Sequence, residues 1–437
     1  MGRFLEDVEA PAGKQKPAGA FDGLGFIAEA LREIKRSDLY RSLVTVEGPA
    51  GAHISIGGKS LVNFASNDYL GLAKDARLKG AAKRAVEEYG TSASASRLMS
   101  GNLLCHERLE EELARFKRSE RALVFPTGFM AVLGTVSALA GAGDLILFDR
   151  LCHASIIDAV RLSGAKFRSF PHSSLSHLKT FLSRSRDFRR KFIITEGVFS
   201  MDGDLSPLAE MARLARDSGA ILIVDDAHGT GVLGASGRGT AEHFHCEGKI
   251  DVLVGTLSKA LGSQGGFVTG SCQLIRYLRN KARSFIYTTA LAPPAVAAAT
   301  AALKLIHEDS GPREHLWKNI RYLKQGLTEV GLSTGDSQSA IIPIIIGEAN
   351  DALAASRVLF EAGIFVPAIR PPTVPRGKSR LRISLSAAHR KEDLERLVSA
   401  LGKIVYQQPQ ITQINAHNKK VYQIARQPHS QVQWLNG

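Results

Sequence analysis

The chain is 437 residues long, 44% apolar and 22% charged, the proportions of a folded protein of about two or three domains rather than of a disordered one. Its 56 lysines and arginines outnumber 42 acids, a formal charge of +14, yet the cations are dispersed, with the densest runs at 183–192 and 375–382 and no aromatic-interleaved motif beside them. A basic surface suited to an anionic small substrate is expected rather than a nucleic-acid partner, and with no apolar run near the roughly 18 residues of a membrane span, no membrane partner is expected either.

The first 20 residues carry early acids and no signal-peptide core, and they are expected to be a flexible N-terminus of a cytoplasmic protein. Helical periodicity follows over 21–45, and Gly57-Gly58 between two alternating runs predicts a hairpin within 53–72. A helix of mixed charge is predicted over 103–118. From 121 to 270 short β-rich runs ("RALVFP", "GDLILFD", "KFRSF", "KFIITEG", "AILIVDD", "DVLVG", "GGFVTG") alternate with longer helical stretches. Several are apolar throughout, as strands are in a mainly parallel sheet covered by helices on both faces.

Pro293 and Pro294 open a helix expected to run to about 308. Helices near 312–329, 350–362 and 390–405, with strands in "AIIPIII" and "RLRISLS", then fit a smaller α+β domain. The expected organisation is an N-terminal helix and hairpin segment over 21–64, a large α/β domain over 65–304, a small domain over 305–405 and a Gln/Asn-rich mobile tail over 406–437. Cys105, Cys152, Cys246 and Cys272 form no CxxC pair and no zinc-like spacing, so unpaired thiols and no metal are expected.

Ligands of such sheets gather at the carboxyl ends of the strands. One strand end carries Asp225 and His228 ("ILIVDDAHGTG"), another Glu196, Ser200, Asp202 and Asp204 ("FIITEGVFSMDGD"), and a third Lys259 ("DVLVGTLSK"). Gly229, Gly231 and Gly234 match the dinucleotide fingerprint GxGxxG literally, but Asp-Asp-Ala-His separates them from the strand and more glycine follows where a helix should begin. Nicotinamide and flavin binding are not expected.

Lys259 by position alone reads as a solvated loop charge. Between a buried strand and a glycine turn, however, a lysine can lose hydration and become the neutral amine that attacks carbonyls. Pyridoxal 5'-phosphate (PLP) chemistry needs such an amine, an acid for the pyridine nitrogen, donors for the phosphate and a group against the ring. Asp225 can supply the acid, and the amides of Thr127, Gly128 and Phe129 in "FPTGFMA" can cradle a phosphate at a helix N-terminus. Thr256 adds a hydroxyl, and His153 in "DRLCHAS" can stack on the ring. Each has a bland alternative: Asp225 as a helix cap, Thr127-Gly128 as a turn, His153 as a satisfied core histidine. Their joint presence is what points to the cofactor.

The motifs "FASNDYLGL", "EEYGTSASASRLMSG", "CHERLEE", "DRLCHAS", "TEGVFSMDGD", "VDDAHGTGVLG", "GTLSKALGSQGG" and "RLRISLSAAH" resemble those of the α-oxoamine synthases, PLP enzymes with the aspartate aminotransferase-like α/β fold (fold type I). The resemblance spans about three quarters of the chain. It implies that Lys259 carries the cofactor covalently, that Asp225 pairs with the pyridine nitrogen, that His153 stacks on the ring, and that His228 and Ser200 hydrogen-bond its phenolic oxygen. It further implies that Thr256 and the 127–129 amides hold the phosphate, with Thr288 and Thr289 reaching it from the other subunit of a homodimer. Arg382 and Asn67 would bind an amino-acid carboxylate, and Arg41 would lie at the mouth of the acyl-substrate channel.

"GTLSKALGSQGG" and "AIRPPTVPRGKSRLRISLSAAH" most resemble members that condense L-alanine with a pimeloyl thioester, of CoA or acyl carrier protein, with loss of CO2. Members that use glycine or serine with other acyl-CoAs are the alternative. An inactive basic nucleic-acid-binding protein on the same fold is a third reading. Ser92 and Ala93 stand where the family usually has glycine, and residues 101–105 are apolar where many members are Thr-rich; both departures bear on the acyl substrate rather than on the cofactor.

Overall fold

The computed structural model describes residues 23–407. The expectations for 1–20 and for the Gln/Asn-rich segment beyond 407 lie outside the described residues. The N-terminal helix is shorter than its periodicity predicts, Phe26–Arg36, capped at Ser37 and followed by Asp38 at a left-handed φ of 56°. None of its residues is buried, so no packing extends it past the local stop.

The predicted hairpin is β1 (His53–Ile56) with β2 (Lys59–Asn63), turned by Gly57 and Gly58 at φ 56° and 72°. Seven strands follow in the order of the β-rich runs: β3 (Arg121–Phe125), β4 (Leu145–Asp149), β5 (Lys166–Phe170), β6 (Lys191–Glu196), β7 (Ala220–Asp225), β8 (Val252–Thr256) and β9 (Gly266–Gly270). They form one sheet in the order β3-β9-β8-β7-β6-β4-β5. The pairings from β8 through β5 are parallel, and β9 runs antiparallel to both of its neighbours. The chain belongs to the α/β class, as its strand and helix alternation predicts.

Helices cover both faces. Gly128–Leu139 and Ala154–Ser163 pack with Ile146, Ile194 and Val254 on one side, and Leu175–Ser183 and Leu208–Ser218 with Leu147, Ile193 and Val224 on the other. Every residue of β4 and β8 is buried. Each fully buried Leu, Ile or Phe contributes about 1.5–3 kcal/mol, so these strands hold their carboxyl ends in place.

The C-terminal region adds β10 (Ile341–Gly347), β11 (Ile364–Phe365), β12 (Ala368–Ile369) and β13 (Ser379–Ser384). A second sheet has the order β10-β13-β12 and a third the order β1-β2-β11. The hairpin therefore does not stand alone: β11 extends it in parallel, with Ile364 beside Val62. One apolar core runs from Val62 and Phe64 through Leu257 and Phe267 to Leu381 and Ile383, so β13 is packed against the carboxyl-end loops of the large sheet. Loop 200–203 is clamped from that side, with Arg380 bonded to Asp202 and to the Met201 carbonyl, and Gln338 N to the Gly203 carbonyl.

Candidate active site

Asp225 ends β7, and in parallel register it stands beside Glu196, the last residue of β6. Two carboxyls side by side, Glu196 buried and Asp225 half-buried, disfavour ionisation. Burial, with the neighbouring Asp225 charge, raises Glu196 to about 8, and burial raises Asp225 against the pull of Lys259. Glu196 Oε1 accepts the His153 amide at 2.6 Å, which ties β6 to the next strand-end loop.

Lys259 lies in the turn after β8, and its Nζ is 2.6 Å from His228 Nε2. Burial lowers its pKa to about 8, opposed by the charges of Asp225 and Glu196. A substantial fraction of the amine is thus neutral near physiological pH, the form that reacts with carbonyls. His228 is held well below its usual value by burial, with Lys259 and Arg382 adding to it, and is neutral.

From His228 the contacts continue. Its Nδ1 is 2.6 Å from the Tyr69 hydroxyl, which donates to Asn67 Oδ1 at 3.1 Å. Arg382 Nη1 and Nη2 donate to the same Oδ1 at 3.2 and 3.3 Å, while its Nε donates to the Ser200 carbonyl at 2.6 Å. Burial pushes Tyr69 up to about 12, so its hydroxyl keeps its proton. One direction satisfies every atom: Lys259 donates to Nε2, Nδ1–H donates to Tyr69, and Tyr69 donates to Asn67. The sequence reading of Lys259, His228, Asn67 and Arg382 as one site thus acquires a member it did not single out, Tyr69. Its signal was its place two residues after Asn67 in "SNDYLGL".

The helix N-terminus forms from "PTG" because Thr127, in extended conformation, accepts the Met130 amide on its hydroxyl at 3.1 Å. Gly266 lets β9 approach this turn, since a Cβ there would run into the Thr127 carbonyl and Gly128 Cα. A Cβ on Gly128 would sit 3.3 Å from the Thr256 side chain, so Thr256 walls the same cradle. The Thr256 hydroxyl is engaged elsewhere than the sequence reading placed it: it donates to the Gly265 carbonyl at 2.9 Å and accepts the Ser258 amide at 3.1 Å. Phe129 follows in the first helical turn with an exposed side chain.

His153 caps the helix Ala154–Ser163, with Nδ1 2.8 Å from Ser155 Oγ, which fixes its ring plane. The ring is exposed. Partial desolvation by the surrounding protein lowers its pKa, with Asp225 pulling up and Lys259 pushing down, so it belongs to the same electrostatic neighbourhood.

Other residues stand apart. Arg41 is exposed in the extended segment after the first helix, whose Asp38 and Tyr40 carbonyls are held by Arg370. Thr288 is half-buried and Thr289 exposed; Thr289 bridges to Ser96. Ser92 is exposed and Ala93 buried at the start of that same 91–96 stretch.

The glycines after Asp226 serve a carboxylate inside the fold. Asp226 Oδ1 accepts from Thr240 N and Oγ1 at 3.1 and 2.7 Å, and Oδ2 accepts from Lys117 Nζ at 2.8 Å and Thr230 Oγ1 at 3.1 Å. A Cβ on Gly229 or Gly239 would collide with that carboxylate, and Gly231 and Gly234 are at φ 83° and 84°. These turns close around Asp226 and present His228 at the site. Sequence reasoning missed Lys117, whose "RFKRS" setting looks like a solvated helix end.

The chain belongs to the aminotransferase class I and II family, whose profile matches residues 59–401. It is a PLP enzyme of fold type I, and the donor set fits that cofactor: an amine of lowered pKa, a strand-end carboxylate, a helix N-terminus relieved of Cβ atoms and an exposed ring lie around one sheet end. The 8-amino-7-oxononanoate synthase of Methylococcus capsulatus is 52% identical over 383 residues, covering 87% of this chain and 98% of its own. Among solved structures, 8-amino-7-oxononanoate synthase from Francisella tularensis superposes with a TM-score of 0.69 at 33% identity, covering 79% of this chain and 98% of its own. Serine palmitoyltransferase from S. paucimobilis, with bound PLP-myriocin aldimine, gives a TM-score of 0.83 at 33% identity, covering 88% and 97%.

Proposed function

We propose that the protein is the PLP-dependent acyltransferase of biotin biosynthesis that condenses L-alanine with a pimeloyl thioester, of CoA or acyl carrier protein, to give 8-amino-7-oxononanoate, CO2 and the free carrier. The observation that carries the reaction class is the chain from Lys259 through His228, Tyr69 and Asn67 to Arg382, which sets an amine and a guanidinium at opposite ends of one site. An α-amino acid has the matching pair of groups. The choice of alanine and a pimeloyl chain rests on the relatives' shared name and on identity near one half.

In this reading Lys259 would hold the cofactor covalently, Asp225 would serve its ring nitrogen, His153 its ring, and His228 and Ser200 its phenolic oxygen. Thr127, Gly128 and Phe129 offer amides to the phosphate inside the wall made by Thr256. When bound, PLP supplies an electron sink for negative charge at the substrate α-carbon. Arg382, oriented by the Ser200 carbonyl and by Asn67, receives the alanine carboxylate, and the Asn67 amide nitrogen adds a donor. Lys259 as a neutral amine would take the α-proton; a pKa near 8 suits a base that must also return it.

The protein acts as a homodimer in this reading, with Thr288 and Thr289 turned to the partner's phosphate and Arg41 at the acyl-chain mouth. Large exposed apolar groups support it: Met99 is 79% and Tyr287 71% exposed, and the helix Phe26–Arg36 exposes Phe26, Ile27, Leu31 and Ile34. Residues 65–304 would form the cofactor-binding domain and 305–405 the smaller one, in a cytoplasmic protein. Among the described residues no helix is long and apolar enough to cross a membrane. Incubation with alanine, glycine or serine against pimeloyl, acetyl, succinyl and long-chain thioesters tests the reading. Turnover of alanine with the pimeloyl thioester is expected, and turnover of glycine or serine without alanine would overturn it.

A further inference from the structure

We propose a second binding site, at the edge of the seven-stranded sheet, that takes a nucleotide-type ligand, a flat aromatic ring carrying phosphates. A cavity of about 550 Å³ opens between β5 and the segment after the helix Leu175–Ser183. That volume lies inside the roughly 300–1,000 Å³ of small-molecule sites. β5 is an edge strand, four strand spacings from the β8 end that leads to Lys259, or about 19 Å.

The register makes the cavity amphipathic. Lys166 and Arg168 lie beside Leu145 and Leu147 of β4, so their stems share a face with two buried leucines that floor the cavity. Phe181 and Phe188 form its walls, and the cations lie over them: Lys166 Nζ is 5.9 Å from the Phe188 ring centre and the Arg168 guanidinium 5.6 Å from that of Phe181. Arg184 joins the rim from the other side.

Charge separates these residues from the rest of the basic run at 183–192. Arg189 and Arg190 both bond Asp144, whose carboxyl they help hold down at about 2. Lys166, Arg168 and Arg184 have no carboxylate partner among the described residues. Protection of an exposed edge strand accounts for cations on β5. It does not account for a third cation brought from another segment to the same space, or for two aromatic rings left half-buried beneath the charges. Guanidinium and ammonium groups above an apolar floor match a ligand whose phosphates stay at the rim while its ring is buried.

The test is calorimetric titration of the holoenzyme at low salt with ATP as the probe, and with tripolyphosphate and adenosine as its charged and aromatic halves. Saturable ATP binding at one site per chain is expected, tighter than either half. Lys166→Glu combined with Arg168→Glu is expected to weaken it at least tenfold, and Arg184→Ala and Phe188→Ala singly at least threefold, with turnover of L-alanine and thioester unchanged. No saturable ATP binding, tripolyphosphate binding as tightly as ATP, or full ATP affinity in the charge-reversed variant would each overturn the proposal.

Discussion

Two lysines lie inside the same fold, Lys117 fully buried and Lys259 half-buried, and they have opposite chemistry. Lys117 is saturated: Asp226, Thr230 Oγ1 and the Arg238 carbonyl take its three protons, and its charge is matched by a carboxylate in contact. Lys259 has one hydrogen-bond neighbour, a neutral histidine, while Asp225 and Glu196 act on it only through space. Burial lowers the pKa of both. Burial alone therefore does not make a lysine reactive; what distinguishes Lys259 is that no carboxylate holds its proton.

The largest expected effect breaks the reactive member. Lys259→Ala should reduce turnover by about 10⁴-fold or more, since general-base catalysis alone is worth about 10²–10⁴. The melting temperature of the apoprotein should stay close to wild type, because the chain from His228 to Arg382 remains. Steady-state kinetics beside thermal melts check this.

The saturated lysine should show the reverse. Lys117→Met leaves Asp226 buried without its counter-charge, and loss of one partner of such a pair costs about 3–5 kcal/mol. Urea unfolding should show that loss, and adding Asp226→Leu should restore part of it. If Lys117→Met left stability unchanged and abolished activity, the contrast between the two lysines would fail.

A smaller effect is expected at Tyr69. Tyr69→Phe leaves the His228 Nδ1 hydrogen without an acceptor, a penalty of about 1–3 kcal/mol. It should appear as a loss of that size on urea unfolding together with slower turnover, and a variant with wild-type kcat would show that His228 does not need the chain.

A further effect lies outside the site. Burial pulls His172 down, but hydrogen bonds to Asp149 and Asp204 outweigh it and raise the histidine from 6.5 to about 10. A raised pKa means that the folded state binds the proton more tightly. The contribution of His172 to stability should be complete below about pH 6.5 and vanish as pH rises through about 10. The stability difference between wild type and His172→Gln, measured from pH 6 to 10, should shrink accordingly.

Much of this was legible in the sequence because it is local. The apolar runs that became β3 to β9 fix which residues stand at strand ends, and so expose Asp225, Glu196 and Lys259 to inspection. The Thr127 cap and the Gly57-Gly58 turn are equally local. What escaped depends on distant partners. Lys117 meets Asp226 109 residues away, and Tyr69 meets His228 159 residues away. β2 acquires β11 from the far end of the chain, and Thr256 turns its proton to a carbonyl nine residues on. The first helix stops at Arg36 for want of a packed face, which periodicity does not report.

The most direct test of the contrast is borohydride reduction of the PLP-loaded protein followed by peptide mass mapping. The account expects the pyridoxyl mass on the peptide carrying Lys259 and none on that carrying Lys117. A label on any other lysine, or no label in a protein that retains bound PLP, would contradict it.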